Sequence, residues 1–279
     1  MIEVTKYMLP IVIGYIAGKI LRRRPPALIF TALVVLLVFV VAANTADKVF
    51  ESVGVFLAVS ILYALALVLV TGLLGSFLDA PSRVGPVGMP SISAYVSIAL
   101  AAGFITGIFI KIPYVLAIDP LLLVLLFTAG MDMANVGIRL EKAVLLAPAA
   151  ALLGAGIVGF LFATTLNITP AVAFGMGWYS FTGPYLANAG DKTGGAYGLL
   201  TNFLREQFTF LLGPILARRF GKVSILAIGG ATTMDNTLPL YIALYGPSFS
   251  LYAFTNGVIL TFIVPTLVPI VHQVYSCCR

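Results

Sequence analysis

The chain has 279 residues, 61% of them hydrophobic and only 9% charged, with a mean hydropathy of +1.09. Soluble domains carry about 25% charged residues, so there is too little charge here to clothe a water-facing surface. Soluble enzymes, nucleic-acid binders and disordered chains are excluded, and an all-α polytopic membrane protein is expected.

The net charge of +6 is read as the positive-inside bias of such a protein. No basic stripe with interleaved aromatics marks a nucleic-acid partner. Cys277 and Cys278 are adjacent and His272 is the single histidine. That composition predicts no metal site, no cofactor and no catalytic histidine.

A bilayer core of about 30 Å takes about 20 helical residues to cross. Apolar stretches fall at 6–21, 27–46, 53–77, 91–110 and 115–133, then, after a polar stretch at 139–142, at 143–166, 170–190, 193–217, 223–245 and 249–275. The chain thus divides into a membrane half at 1–142 and a second at 143–279, forming one integral unit. Five elements is an odd number, so a second set of five enters the bilayer from the opposite side. This suggests a five-plus-five inverted repeat, as in many secondary transporters.

Two elements read poorly as lipid-facing helices. Residues 170–190 hold Gly175, Gly177, Gly183 and Pro184 among Trp178, Ser180, Thr182 and Asn188. Residues 223–245 hold Gly229 and Gly230, then Thr232, Thr233, Asp235, Asn236, Thr237 and Pro239. Each is expected to break near its middle, where protein or a water-filled cavity satisfies the freed backbone.

Charge placement selects a topology. With the N-terminus outside and both weak elements re-entrant, Lys19, Arg22, Arg23, Arg24, Arg83, Arg139, Lys142, Arg218, Arg219 and Lys222 lie inside. Lys6, Lys48, Lys111, Lys192 and Arg279 lie outside. That inside excess fits the positive-inside rule, so about eight transmembrane helices plus two re-entrant or discontinuous elements are expected, with both termini outside.

Ionisable residues inside a membrane are functional candidates, because inserting each charge costs about 2.5–3.5 kcal/mol. Arg205 and Glu206 lie deep in 193–217. They point about 100° apart on a helix, so each needs a partner from another helix, a cavity or a substrate. Asp47 ends the second stretch, as either an interfacial acid or a site residue. Asp132 is a secondary candidate at the end of the fifth. Asp235 and Asn236 sit at the second expected break, where an acid either holds a cation or caps a half-helix. Asn202, Trp178, Ser180 and Thr182 complete the set. Acids suit ammonium groups, while Arg205 or half-helix N–H groups suit a carboxylate. A small zwitterionic or cationic solute is the expected substrate.

Three segments carry a resemblance: Gly177-Trp178-Tyr179-Ser180-Phe181-Thr182-Gly183, Leu204-Arg205-Glu206, and Gly230-Ala231-Thr232-Thr233-Met234-Asp235 followed by Thr237-Leu238-Pro239. Their order and spacing resemble the LysO-type lysine exporters of prokaryotes, over residues 143 to the C-terminus. The resemblance implies export of L-lysine across the cytoplasmic membrane, driven by proton antiport, with Asp47 and Glu206 as a membrane-embedded acidic pair. Asn236 departs from it, standing where an aromatic residue is expected. Two rivals are a carrier for another small organic solute and an intramembrane aspartyl hydrolase built on Asp132 and Asp235.

Overall fold

The computed structural model describes residues 2–23, 25–79, 92–134, 142–234, 236–245 and 249–278. Asp235 lies outside the described residues, as do Arg24, Arg83, Arg139 and Arg279 from the charge distribution. Among the described residues every regular element is helical. Hydrocarbon offers no partner to backbone N–H and C=O groups, and a helix satisfies them within itself. Five of these helices are long and apolar enough to cross a membrane, and the chain is a multi-pass membrane protein.

The first half is α1 (Ile2–Leu21), α2 (Ala27–Glu51), α3 (Val53–Ser76), α4 (Ile92–Phe109) and α5 (Val115–Met133). Small residues set how they pair. Gly14 and Gly18 of α1 lie against the backbone of Phe127 and Met131 in α5. Gly103 and Gly107 of α4 lie against Phe39 and Ala43 in α2. The register advances together in both pairs, so α1 runs parallel to α5 and α2 parallel to α4.

The second half is α6 (Lys142–Leu166), α7 (Ala171–Phe174), α8 (Tyr179–Asn188), α9 (Lys192–Leu216), α10 (Lys222–Gly229), α11 (Leu238–Tyr245) and α12 (Ser250–Cys277). A short 3-10 turn, Gly230–Met234, separates α10 from α11. The two segments expected to break are therefore each two helices.

Each broken segment folds back to the end of the bundle where it began. In the first, Thr169 at the entry and Tyr185 in α8 both lie against His272 of α12. Asn188 closes the segment beside Asp119, near the start of α5. In the second, the Lys222 backbone N–H donates to Asp79 Oδ2, just past α3, at 2.9 Å, and the Lys222 ammonium lies 5.8 Å from the Tyr245 ring at the exit of α11. Because Phe56, in the first turn of α3, stacks on Tyr197 near the start of α9, while Asp79 follows the last turn of α3, the two hairpins enter from opposite ends. Their tips meet in the middle, where the Ala231 N–H donates to the Met176 carbonyl at 2.9 Å.

Candidate functional site

The first break spans Gly175 to Trp178. Met176 and Gly177 both take positive φ, 48° and 89°, which ends α7 and turns the chain into α8. Asn202 of α9 satisfies the groups this releases. Its Oδ1 accepts the Gly177 N–H at 2.7 Å, and its Nδ2 donates to the Val172 carbonyl of α7 and back to the Gly198 carbonyl one turn earlier in α9, both at 2.9 Å. The Thr182 hydroxyl donates to the Trp178 carbonyl at 2.9 Å. Trp178 is buried and its ring lies 5.4 Å from that of Phe181. Ser180 is buried in the first turn of α8. Asn202 and Thr182 thus hold the break, and Trp178 walls it.

The second break follows α10, whose last carbonyls point into the protein. A helix C-terminus carries partial negative charge and open acceptors. Arg205, fully buried, supplies a cation there. Its Nε donates to the Ile228 carbonyl at 3.1 Å and its Nη2 to Ala227 at 2.9 Å. The Tyr241 hydroxyl takes Ile225 at 3.1 Å, and Thr232 takes Gly229 at 3.0 Å. Asn256 of α12 donates to the Gly230 carbonyl and to Thr233 Oγ1, both at 3.0 Å. Arg205 therefore clamps the end of a half-helix, a use the sequence alone does not single out.

Glu206, one residue on, points toward the meeting of the two tips and is 1% exposed. The Asn236 amide nitrogen donates to Glu206 Oε2 at 3.0 Å and to the Tyr179 hydroxyl oxygen at 3.1 Å. One side-chain nitrogen thus bridges an acid on α9 and the first residue of α8. The Asn236 amide offers two donor hydrogens at this point and uses them on two elements.

The structure brings together Asn202, Arg205, Glu206, Asn236, Trp178, Ser180 and Thr182 around the two breaks. Asp47 has a different setting. Its carboxylate is 58% exposed and ion-paired with Lys111, just past α4, whereas Glu206 is buried beside Asn236. Asp132 lies in the last turn of α5 and is partly buried; it is thirteen residues, about 20 Å of helix rise, from Asp119. Sequence reasoning missed Tyr179, although it sits inside a quoted motif. It also missed Asn256, whose signal was an amide followed by the apolar run 258–260 in the last long span.

The chain is 31% identical over 156 residues to the lysine exporter LysO of Escherichia coli strain K12, covering 53% of this chain and 52% of that protein. It is 30% identical over 157 residues to a putative lysine exporter of Haemophilus influenzae, covering 52% of this chain and 79% of the relative. The match thus spans about half the length of the Escherichia coli protein. No solved structure matches. The family model of the lysine exporter LysO matches residues 97–272, beginning within α4 and so further upstream than the sequence motifs reach. A match over more than half of its length makes this chain a member of the lysine exporter LysO family.

Proposed function

We propose that this protein is a secondary active transporter that exports L-lysine, with close cationic analogues, across the cytoplasmic membrane in exchange for protons. The observation that carries this reading is the buried Glu206 carboxylate, held by Asn236, which also donates to Tyr179, where two oppositely directed helical hairpins meet. A buried acid at such a meeting point binds either an ammonium group or a proton, and exchange between the two couples the fluxes.

In this reading α1 to α6, α9 and α12 are eight spans, and α7–α8 and α10–α11 are two re-entrant hairpins. The two halves form a five-plus-five inverted repeat with both termini outside. Alternating access moves the α7–α8 and α10–α11 tips about their shared contact. Asp47, with Glu206, is the second acid of the pathway, and its pairing with Lys111 supports a role in which a lysine ammonium is exchanged at that carboxylate. Asp235 joins the site from the second break. The names of the relatives, lysine exporter and putative lysine exporter, support the substrate.

The test is lysine efflux from proteoliposomes containing the wild type or Glu206→Gln. The variant keeps the shape of the side chain and the Asn236 contact, so the protein should stay folded while efflux and lysine-dependent proton uptake are lost. Undiminished efflux removes Glu206 from the mechanism.

A further inference from the structure

The end of the bundle where α1 begins carries a polar cluster apart from the central site. Asp119 of α5 receives donors from α1 and α8. The Lys6 ammonium lies 2.7 Å from Oδ2. The Tyr7 hydroxyl donates to Oδ1 at 3.0 Å and the Asn188 amide to the same oxygen at 3.4 Å. The Lys6 nitrogen also lies 5.3 Å from the centroid of the Tyr7 ring. A carboxylate together with an aromatic ring is the pairing that recognises an alkylammonium, through a charge-assisted hydrogen bond and the ring quadrupole.

The setting adds to the chemistry. The Lys6 and Asp119 side chains are 40% and 25% exposed, so an outside molecule reaches them, whereas Tyr7 is buried at 2%. From Tyr7 an aromatic column leads inward. Its ring meets Phe181 edge-on at 5.7 Å and Tyr185 at 5.5 Å, and Phe181 lies 5.4 Å from Trp178, at the first break. The column joins the centre of the molecule to Asp119.

We propose that Asp119 and the Tyr7 ring form a subsite for a primary alkylammonium, held in this structure by the chain's own Lys6, where the side-chain ammonium of a departing substrate exchanges with Lys6. The proposal rests on the transport reading for its substrate, but not for its chemistry. Lys6 carries the same head group as lysine and is tethered beside the acid, so its effective concentration there far exceeds that of a free solute. The pair is partly exposed and therefore weakly held against solvent, so a substrate ammonium that reaches Asp119 exchanges with Lys6. Once the substrate has left, Lys6 closes the site against rebinding. Asn188 ties the same carboxylate to the α8 arm of the first hairpin.

The experiment titrates n-butylammonium calorimetrically into the purified chain in nanodiscs, as wild type, Lys6→Ala and Lys6→Ala/Asp119→Asn. Wild-type lysine efflux is measured in parallel, and thermal unfolding midpoints establish that each variant is folded. Lys6→Gln serves if Lys6→Ala unfolds. Removing the tethered competitor should tighten butylammonium binding by up to about fivefold, the most that a partly exposed ion pair opposes, and the Asp119→Asn change should abolish that gain. Equal binding in all three proteins overturns the subsite, as does a gain that survives Asp119→Asn. If the binding pattern holds but the wild type moves no lysine, the subsite stands and the transport reading falls.

Discussion

The backbone N–H of Ala231 donates to the carbonyl of Met176 at 2.9 Å, so the two chain breaks are hydrogen-bonded to each other. Both residues sit where helical hydrogen bonding has stopped, and each group would otherwise be bare at membrane depth. The contact makes one polar centre out of two segments that enter from opposite ends.

Gly230 is the tightest point of that contact. It takes φ 63° and ψ −132°, outside the regions an L-residue prefers, and a Cβ there would collide with the Met176 carbonyl. Gly230→Ala should lower stability by about 1–3 kcal/mol and reduce lysine efflux, read by thermal unfolding in detergent and by proteoliposome flux. An unchanged midpoint would mean that the tips separate without consequence.

Arg205→Lys keeps the charge but not the fork. A guanidinium spans the Ala227 and Ile228 carbonyls, whereas an ammonium is a point charge on a flexible stem. The variant should lose about 1.5–3 kcal/mol, the worth of a charge-assisted hydrogen bond. Wild-type stability in the variant would show that either carbonyl suffices.

Asn202 and Asn256 clamp different breaks, yet the breaks share the Met176–Ala231 contact. Asn202→Leu and Asn256→Leu should each destabilise by about 1–3 kcal/mol, because buried backbone groups lose their partners. The double variant should cost less than the sum by about 0.5 kcal/mol or more, since either change alone already loosens the shared tips. Strict additivity in a double-mutant cycle would show the hairpins to be independent.

Asp47 and Lys111 separate stability from transport. Their ion pair is more than half exposed on both sides, so Asp47→Asn and Lys111→Gln should each shift stability by no more than about 1 kcal/mol. Lysine efflux should fall sharply in Asp47→Asn and persist in Lys111→Gln. Equal loss in both would mean that the ion pair, rather than the acid, is required.

Much of the fold was legible because hydropathy and helix punctuation are local properties. The helices α1 to α6 fall close to the apolar stretches read from sequence, and both broken elements were marked by their own glycines, prolines and polar residues. Arg205 and Glu206 stood out because charge within an apolar helix is costly. Their different uses were not legible. Both are deep, adjacent and ionisable, and nothing local says that one turns to the carbonyls of α10 while the other turns to Asn236. Asp47 stood out as an acid at the end of a span and through the family resemblance, and it pairs with Lys111, 64 residues away. Tyr179 and Asn256 went unnoticed because their partners come from other helices.

Sequence by itself determined that the chain belongs in a membrane, where its helices lie, which two of them break and which few residues carry charge inside. Those conclusions follow from composition and from backbone preferences read a few residues at a time. Only the tertiary structure decided that the breaks meet tip to tip, that Arg205 caps a half-helix, that Glu206 is held by Asn236, and that Asp119 is held by Lys6. Each of these is a hydrogen bond or ion pair between segments far apart in the chain. Low dielectric makes an unmet polar group costly, so the positions of distant partners, rather than any local pattern, assign each buried group its task.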